Sequence, residues 1–346
     1  MVEEVQVRRP QEEQMQSQVK NDLIRATELT AIAVSKLIYE KGFSKDDVLG
    51  PEESKEREKL IDQTGADAMA AALTDVPFVI HAISSEGGKH IFQYGEALPT
   101  LLGDFGEGEI ELDMVNDVVE GSKAAKLNSP GAVSVLAAST HGGIMKTPDD
   151  IFYMDKLFGS PQLKGKISLN NSTEQNLQAA VDAFDVDPSE ITVVIMNRPR
   201  NEEYRKACEA FGVKIVLIEA GDMLPAVLAS EDPSTHNKGI HLVMGIGGFE
   251  EGVMCVVGAK LLGSACEVRP WSADPEINAK YAQVLGVDDV VSGEIEDSFL
   301  SLSSITGDSQ WLGLPKVTEK DGGHEVTTLT VSPAGVNIST TLTING

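Results

Sequence analysis

The sequence predicts an α/β protein, with α+β character in its outer parts, on three observations. In the middle third, β-branched apolar runs alternate with segments of helical spacing, joined by short links. In the first third, small-residue stripes with three-to-four spacing precede the first strand-like run. Near the end, apolar and polar residues alternate on both sides of a Pro333-Ala334-Gly335 turn.

Taken in order, residues 1–18 are rich in Glu and Gln and are expected to fray. Leu23, Ala26, Thr27, Thr30, Ala31, Val34 and Ile38 predict a helix over 19–38, which Gly42 ends. Residues 42–58 are charged, carry Gly50 and Pro51, and read as a loop. An Ala-rich helix follows over 61–73, then a strand over 78–83 and a turn over 84–88. A strand over 112–119 runs into Glu120-Gly121-Ser122, a turn able to open a helix. Residues 132–139 read as a buried strand and 140–150 as a loop.

Leu177, Ala180, Val181 and Phe184 predict a helix, and 191–196 a buried strand. Tyr204, Ala207, Cys208 and Phe211 repeat the helical spacing, with Gly212 as the C-terminal cap. A strand over 213–218, a short helix over 223–229, a strand over 240–244 and a helix over 251–262 complete this third. Leu329, Val331, Val336 and Ile338 predict a closing hairpin.

The chain has 346 residues, room for two domains or one large two-part domain. Hydrophobic residues make up 41% and charged residues 24%, a globular composition. The formal charge of −26 argues against nonspecific binding to nucleic acid or to an anionic membrane, and it repels anionic substrates unless a cation or a basic patch intervenes. No apolar run approaches the roughly 18 residues of a membrane span, and the polar start carries no secretory or transit pattern. The three cysteines, Cys208, Cys255 and Cys266, are too few and odd in number for a disulfide framework, which favours a reducing, cytoplasmic compartment. Cys208 and Cys255 fall on apolar helix faces and read as buried, inert thiols.

Three segments could carry chemistry. Asp117 and Glu120 lie three apart where a strand breaks, so both carboxylates and the Val119 carbonyl can face one point. Hard divalent cations want such oxygen ligands, although acids around a glycine turn are also common as solvated turn residues. The amides of Gly121, Ser122 and Lys123 could form a phosphate cradle at a helix start. Next, Gly245-Ile246-Gly247-Gly248 through Glu251-Gly252 follows a strand and precedes a helix. It suits an anion near a helix N-terminus, or simply a tight strand–helix turn; it matches neither the dinucleotide fingerprint nor a P-loop. Third, Arg198 and Arg200 follow a strand end, where open α/β sheets bind ligands and guanidinium groups suit phosphate; a solvated pair fits as well. The six histidines show no metal spacing, and His81 reads as packed or surface.

In order, these pieces resemble the class II fructose-1,6-bisphosphatases, within the lithium-sensitive sugar and inositol phosphatase superfamily. The resemblance rests on Asp113 to Ser122, Tyr153-Met154-Asp155-Lys156, Arg198-Pro199-Arg200, Gly221-Asp222, Gly245 to Gly252 and Ser304-Ile305-Thr306-Gly307. It implies a layered α-β-α-β-α fold, with an N-terminal metal-binding part (1–150) and a C-terminal α/β part carrying substrate groups (151–346). It implies a Mg²⁺- or Mn²⁺-dependent phosphatase acting on the 1-phosphate of a sugar bisphosphate, most simply fructose 1,6-bisphosphate, in carbohydrate metabolism. Sedoheptulose 1,7-bisphosphate, an inositol phosphate, or a binding-only regulatory role are the alternatives.

By the same resemblance Asp62, Glu86, Asp117, the Val119 carbonyl, Glu120 and Glu251 look like metal ligands. Ser122, with Glu86, looks like the group that orients the attacking water. Gly121, Ser122, Lys123, Tyr153, Arg198, Arg200, Asp222, Gly247 and Gly248 look like substrate-holding positions. Gly88, His90 and Ala220 stand where the family carries acids, and Lys55 or Lys59 stands for its loop lysine. Self-association as a dimer or tetramer is also implied.

Overall fold

The computed structural model describes residues 10–85, 100–232, 239–308 and 310–344. Two long helices open it, α1 (Pro10–Glu40) and α2 (Pro51–Thr74). Both begin earlier than the apolar pattern predicts. Glu and Gln lose little rotamer freedom in a helix, so the frayed start expected before Val19 is helical from Pro10, and Gln16 Nε2 donates to Asp297 Oδ1 at 2.6 Å. The expected loop up to Glu58 is helical from Pro51, because proline at the first helical position loses no hydrogen bond and has its φ preset, and Glu52 and Glu53 complement the helix dipole. Gly42, at φ 67°, ends α1, with the Phe43 amide donating to the Ile38 carbonyl.

The first sheet contains β1 (Val79–Ser85), β2 (Gly103–Phe105), β3 (Glu111–Glu120) and β4 (Val133–Thr140) from the first half of the chain. Its other strands are β11 (Phe299–Ser304), β12 (Thr318–Lys320), β13 (Gly323–Ser332) and β14 (Gly335–Ile344). The order is β12-β13-β11-β4-β3-β1-β2, with β14 paired to β13, and only β1 and β3 run parallel. The second sheet holds β5 (Tyr153–Gly159), β6 (Thr192–Met196), β7 (Lys214–Ile218), β8 (Leu242–Gly248), β9 (Ala265–Trp271) and β10 (Leu285–Gly286), in the order β10-β9-β5-β8-β6-β7. The chain crosses from the first sheet to the second between Thr140 and Tyr153, and it has crossed back by Phe299.

Three apolar cores hold five layers together. α1 and α2 pack on the first sheet through Leu23, Ile61, Met69, Met114 and Leu136. The helices α6 (Met223–Ser230) and α7 (Phe249–Leu262) lie between the sheets, where Val227, Val253 and Val257 meet Leu300 from one side and Phe158 from the other. The helices α4 (Thr173–Phe184) and α5 (Glu202–Phe211) cover the outer face of the second sheet through Leu177 and Cys208. The arrangement is α-β-α-β-α. Sandwiched between sheets, α7 is apolar on every face from Gly252 to Ala259, as such a position requires, with its charged residues at the two ends.

Two further departures from the sequence pattern bear on the site. The central strand β5 escapes the pattern because Asp155 and Lys156 interrupt the apolar run; both are buried. The glycine-rich segment is no turn but the end of β8, paired residue by residue with β5 from Lys156–Gly245 to Tyr153–Gly248. Among the described residues, no helix is long and apolar enough to cross a membrane.

Candidate functional site

At the end of β3 the strand bulges. Asp117 pairs with Val135 and Glu120 with Val133, so the β3 side carries one residue more than its partner. A bulge re-aims side chains, and here it turns the Val119 amide onto Asp117 Oδ1 at 3.0 Å. Gly121 follows at φ 84°; a Cβ there would lie 2.5 Å from the Gly131 carbonyl oxygen, so only glycine fits this close approach. The helix that opens next, α3 (Ser122–Ala125), is a single turn. The predicted anion cradle therefore has backbone amides but no helix dipole of any length behind it.

On α2, the backbone comes close to β3 at Gly65, where a Cβ would sit 3.0 Å from Val119 Cγ2. One turn earlier, Asp62 reaches the β3 turn, and the Ser122 hydroxyl lies 3.0 Å from Asp62 Oδ1 and 3.1 Å from the Val119 carbonyl oxygen. Asp62, Ser122, Val119 and Asp117 thus form one connected polar chain, in which Asp117 is buried, as is Glu120 beside it.

The second cluster is built on β8. A Cβ at Gly248 would fall 1.9 Å from Glu251 Oε2, and one at Gly247 would fall 2.5 Å from both Asp222 Oδ2 and Lys156 Nζ. The glycines clear space for polar side chains folded against the strand. Lys156 and Asp222 form a buried ion pair. Burial pushes the Lys156 ammonium down, and the attraction of Asp222 and Glu251 outweighs it, holding the group at about 12. Arg200 donates from Nε to the Ile246 carbonyl at 3.0 Å, and its guanidinium lies over the Tyr153 ring, 4.3 Å from the centroid. Arg198 goes elsewhere, bonding the Asn197 carbonyl and Glu219.

Electrostatics links residues of the two clusters. Cys255 on α7 feels the charges of Lys156, Asp222 and Glu120 together, and Glu219, the partner of Arg198, feels Lys123. Glu86 lies outside the described residues, as do Gly88 and His90. All three cysteines are free and buried, and burial pushes their thiols upward, Cys208 to about 12.

Sequence reasoning quoted Lys156 within a segment of the resemblance but gave it no role; its signal was a charged residue inside an apolar strand. It missed Glu250, which accepts from the Ser84 hydroxyl at 3.2 Å and ties β1 to α7. Among the described residues, the side chains whose donor atoms close to within 4.8 Å of one another are His81, Glu111 and His141, none of them in the predicted acidic set. No spacing rule reveals them, since strand pairing brings them together.

The sequence matches the family described as bacterial fructose-1,6-bisphosphatase, glpX-encoded, over residues 17–338. Relatives include a D-fructose 1,6-bisphosphatase class 2/sedoheptulose 1,7-bisphosphatase of Synechococcus sp. (strain JA-3-3Ab), 31% identical over 228 residues, 63% of this chain and 64% of the relative. Proteins of the same description occur in Prochlorococcus marinus (strain MIT 9312), 36% identical over 152 residues and 44% of each chain, and in Acaryochloris marina (strain MBIC 11017), 37% identical over 154 residues, 44% of this chain and 43% of the relative. The aligned stretches span less than two thirds of these curated relatives.

Proposed function

Since the chain belongs to the bacterial, glpX-encoded fructose-1,6-bisphosphatase family, we propose that it is a metal-dependent phosphomonoesterase that removes the 1-phosphate of fructose 1,6-bisphosphate. The observation that carries this reading is the polar chain Asp62–Ser122–Val119–Asp117 at the bulged end of β3.

The donors there and on α7 are all oxygens, which fits a hard divalent cation such as Mg²⁺ or Mn²⁺ rather than a thiolate- or imidazole-seeking one. Asp62, Asp117, the Val119 carbonyl, Glu120 and Glu251 would hold it, joined by Glu86. When bound, such ions neutralise the ester phosphate and make a bound water nucleophilic. Ser122, its hydroxyl proton engaged by Asp62 or Val119, would present its oxygen lone pairs to orient the attacking water. Arg200 would hold the distal phosphate. Its Nε is committed to Ile246 and its plane to Tyr153, so the η nitrogens are the ones aimed at a ligand. Lys123 and Arg198 would add positive charge at the mouth of an otherwise acidic molecule. Asp222, fixed by Lys156 beneath Gly247, would position the sugar hydroxyls. The buried, reduced cysteines support a cytoplasmic setting.

The printed description of the relatives joins two activities, and sedoheptulose 1,7-bisphosphate is the second reading. Phosphate release from both bisphosphates, with Mg²⁺ and with Mn²⁺, tests the proposal. We expect release from fructose 1,6-bisphosphate that needs the cation, and a loss of at least about a hundredfold in Glu120→Gln that extra cation does not restore. Tight binding of either sugar phosphate without release would replace the enzyme with a binding protein.

A further inference from the structure

A second cluster of titratable side chains lies at the opposite end of β3 from the candidate active site. His81 on β1 is paired across the sheet with Asp104 on β2 and with Asp113 on β3, and Glu111 stands two positions before Asp113. His141 follows β4, in the loop that returns over this edge. Glu111 and Asp117 are six residues apart on one strand, about 20 Å at strand rise, so the cluster is separate from the acidic site.

Each imidazole is oriented by its own carboxylate. His81 Nδ1 lies 2.7 Å from Asp104 Oδ1, and His141 Nδ1 lies 2.8 Å from Asp113 Oδ1. Asp113 is itself fixed. Its side chain is 2% exposed, and its Oδ2 accepts from the Gly142 amide at 2.8 Å. A carboxylate on Nδ1 keeps the proton on that nitrogen, so Nε2 is the atom able to give a lone pair to an ion; without an ion, His81 Nε2–H donates to Glu111. Both Nε2 atoms face the same atom, Glu111 Oε2, at 3.4 Å from His81 and 3.9 Å from His141, and the two rings stand 4.2 Å apart. Donors around a tetrahedral ion bound at about 2.0–2.1 Å are roughly 3.3 Å from one another. One separation is already near that value. Glu111 and His141 are about half exposed, so small side-chain rotations close the rest.

We propose that His81, Glu111 and His141 form a site for a borderline divalent transition ion of the Zn²⁺ type, with Asp104 and Asp113 as positioning residues. Two imidazole nitrogens and one carboxylate oxygen suit this class and not Mg²⁺, and three protein ligands leave a fourth position to water. An ion there clips β1, β3 and the loop after β4 together. The proposal stands apart from the phosphatase reading, since it shares no residue with that site.

The test uses the full chain, stripped with a chelator and titrated with Zn²⁺ by calorimetry, with Co²⁺ absorption in the visible as the reporter of a low-coordinate nitrogen–oxygen site. We expect one Zn²⁺ equivalent that Glu120→Gln retains. His81→Gln and His141→Gln should each weaken it by at least about 10–100-fold, and both should lose the Co²⁺ band. His141→Gln alters a half-exposed loop side chain, so its folding is not at stake, and its phosphate release with Mg²⁺ should match that of the unaltered chain. Equal Zn²⁺ stoichiometry and affinity in the unaltered chain and in His141→Gln would overturn the proposal, as would a Co²⁺ titration without a visible band.

Discussion

Lys156 is an ammonium on a strand covered from both sides, held charged by the carboxylates around it. Its folded pKa is raised above the unfolded value of about 10.4, so its contribution to stability is complete at neutral pH and fades only as the pH climbs through about 12. Lys156→Met would leave the Asp222 carboxylate buried without its counter-charge, and we expect a loss of about 3–5 kcal/mol in denaturant unfolding. Lys156→Met combined with Asp222→Leu should recover most of that loss. A single variant as stable as the unaltered chain would show that the pair holds nothing together. Arg200 makes a different prediction. Its Nε bond to Ile246 and its stacking on Tyr153 fix it at the surface of the glycine-rich strand. Arg200→Ala should therefore raise KM for a bisphosphate far more than for a monophosphate, with kcat little changed. Equal effects on both substrates would remove Arg200 from the distal phosphate.

The element that organises the candidate site is the end of β3, where bulge, left-handed glycine and one helical turn follow in nine residues, Asp117 to Ala125. Gly121→Ala would combine a positive φ with a Cβ 2.5 Å from the Gly131 carbonyl. We expect it to cost about 1–3 kcal/mol in thermal or denaturant unfolding and to reduce phosphate release more than that loss alone explains, because Val119 and Ser122 move with the turn. Full activity in a destabilised variant would separate the turn from the chemistry. This element was legible in the sequence, since a strand, a pair of acids and a glycine stand in line there. Other parts were not. β5 was hidden by Asp155 and Lys156, whose partners Tyr204, Arg269 and Asp222 come from distant segments. The start of α2 was hidden because Gly50-Pro51 fits a loop and a helix entry equally well. The glycines of β8 suggested a turn because their purpose, room for Glu251 and the Lys156–Asp222 pair, exists only after folding. His81, Glu111 and His141 meet only through sheet register, which periodicity within one strand does not carry.

At the scale of the molecule, the first sheet is assembled from both halves of the chain. β4 pairs with β11, residues more than 150 apart, and α1 rests on β4, β11 and β13 together. Buried hydroxyls tie α1 to β11 and β13. Thr27 meets Ser301 and Ser303, Ser303 meets Thr328, and Thr328 donates to Glu28. The apolar face of α1 is therefore only partly covered until the last strands arrive, an ordering of high contact order that predicts slow, late closure. A chain ending after Lys320 would lose β13 and with it the buried Val326, Leu329 and Val331, leaving α1 and β11 uncovered. We expect that chain to show no cooperative thermal transition by circular dichroism. A chain ending after Ser332 loses only β14, an edge strand whose side chains are half-buried or exposed over Gly335–Thr343. It should keep a cooperative transition at a lower midpoint, because β13 remains bonded to β11 and packed under α1. Cooperative unfolding of the shorter chain would mean that the first four strands, α1 and β11 close a core without the returning segment, and the five-layer order would then be built from two independent units rather than one.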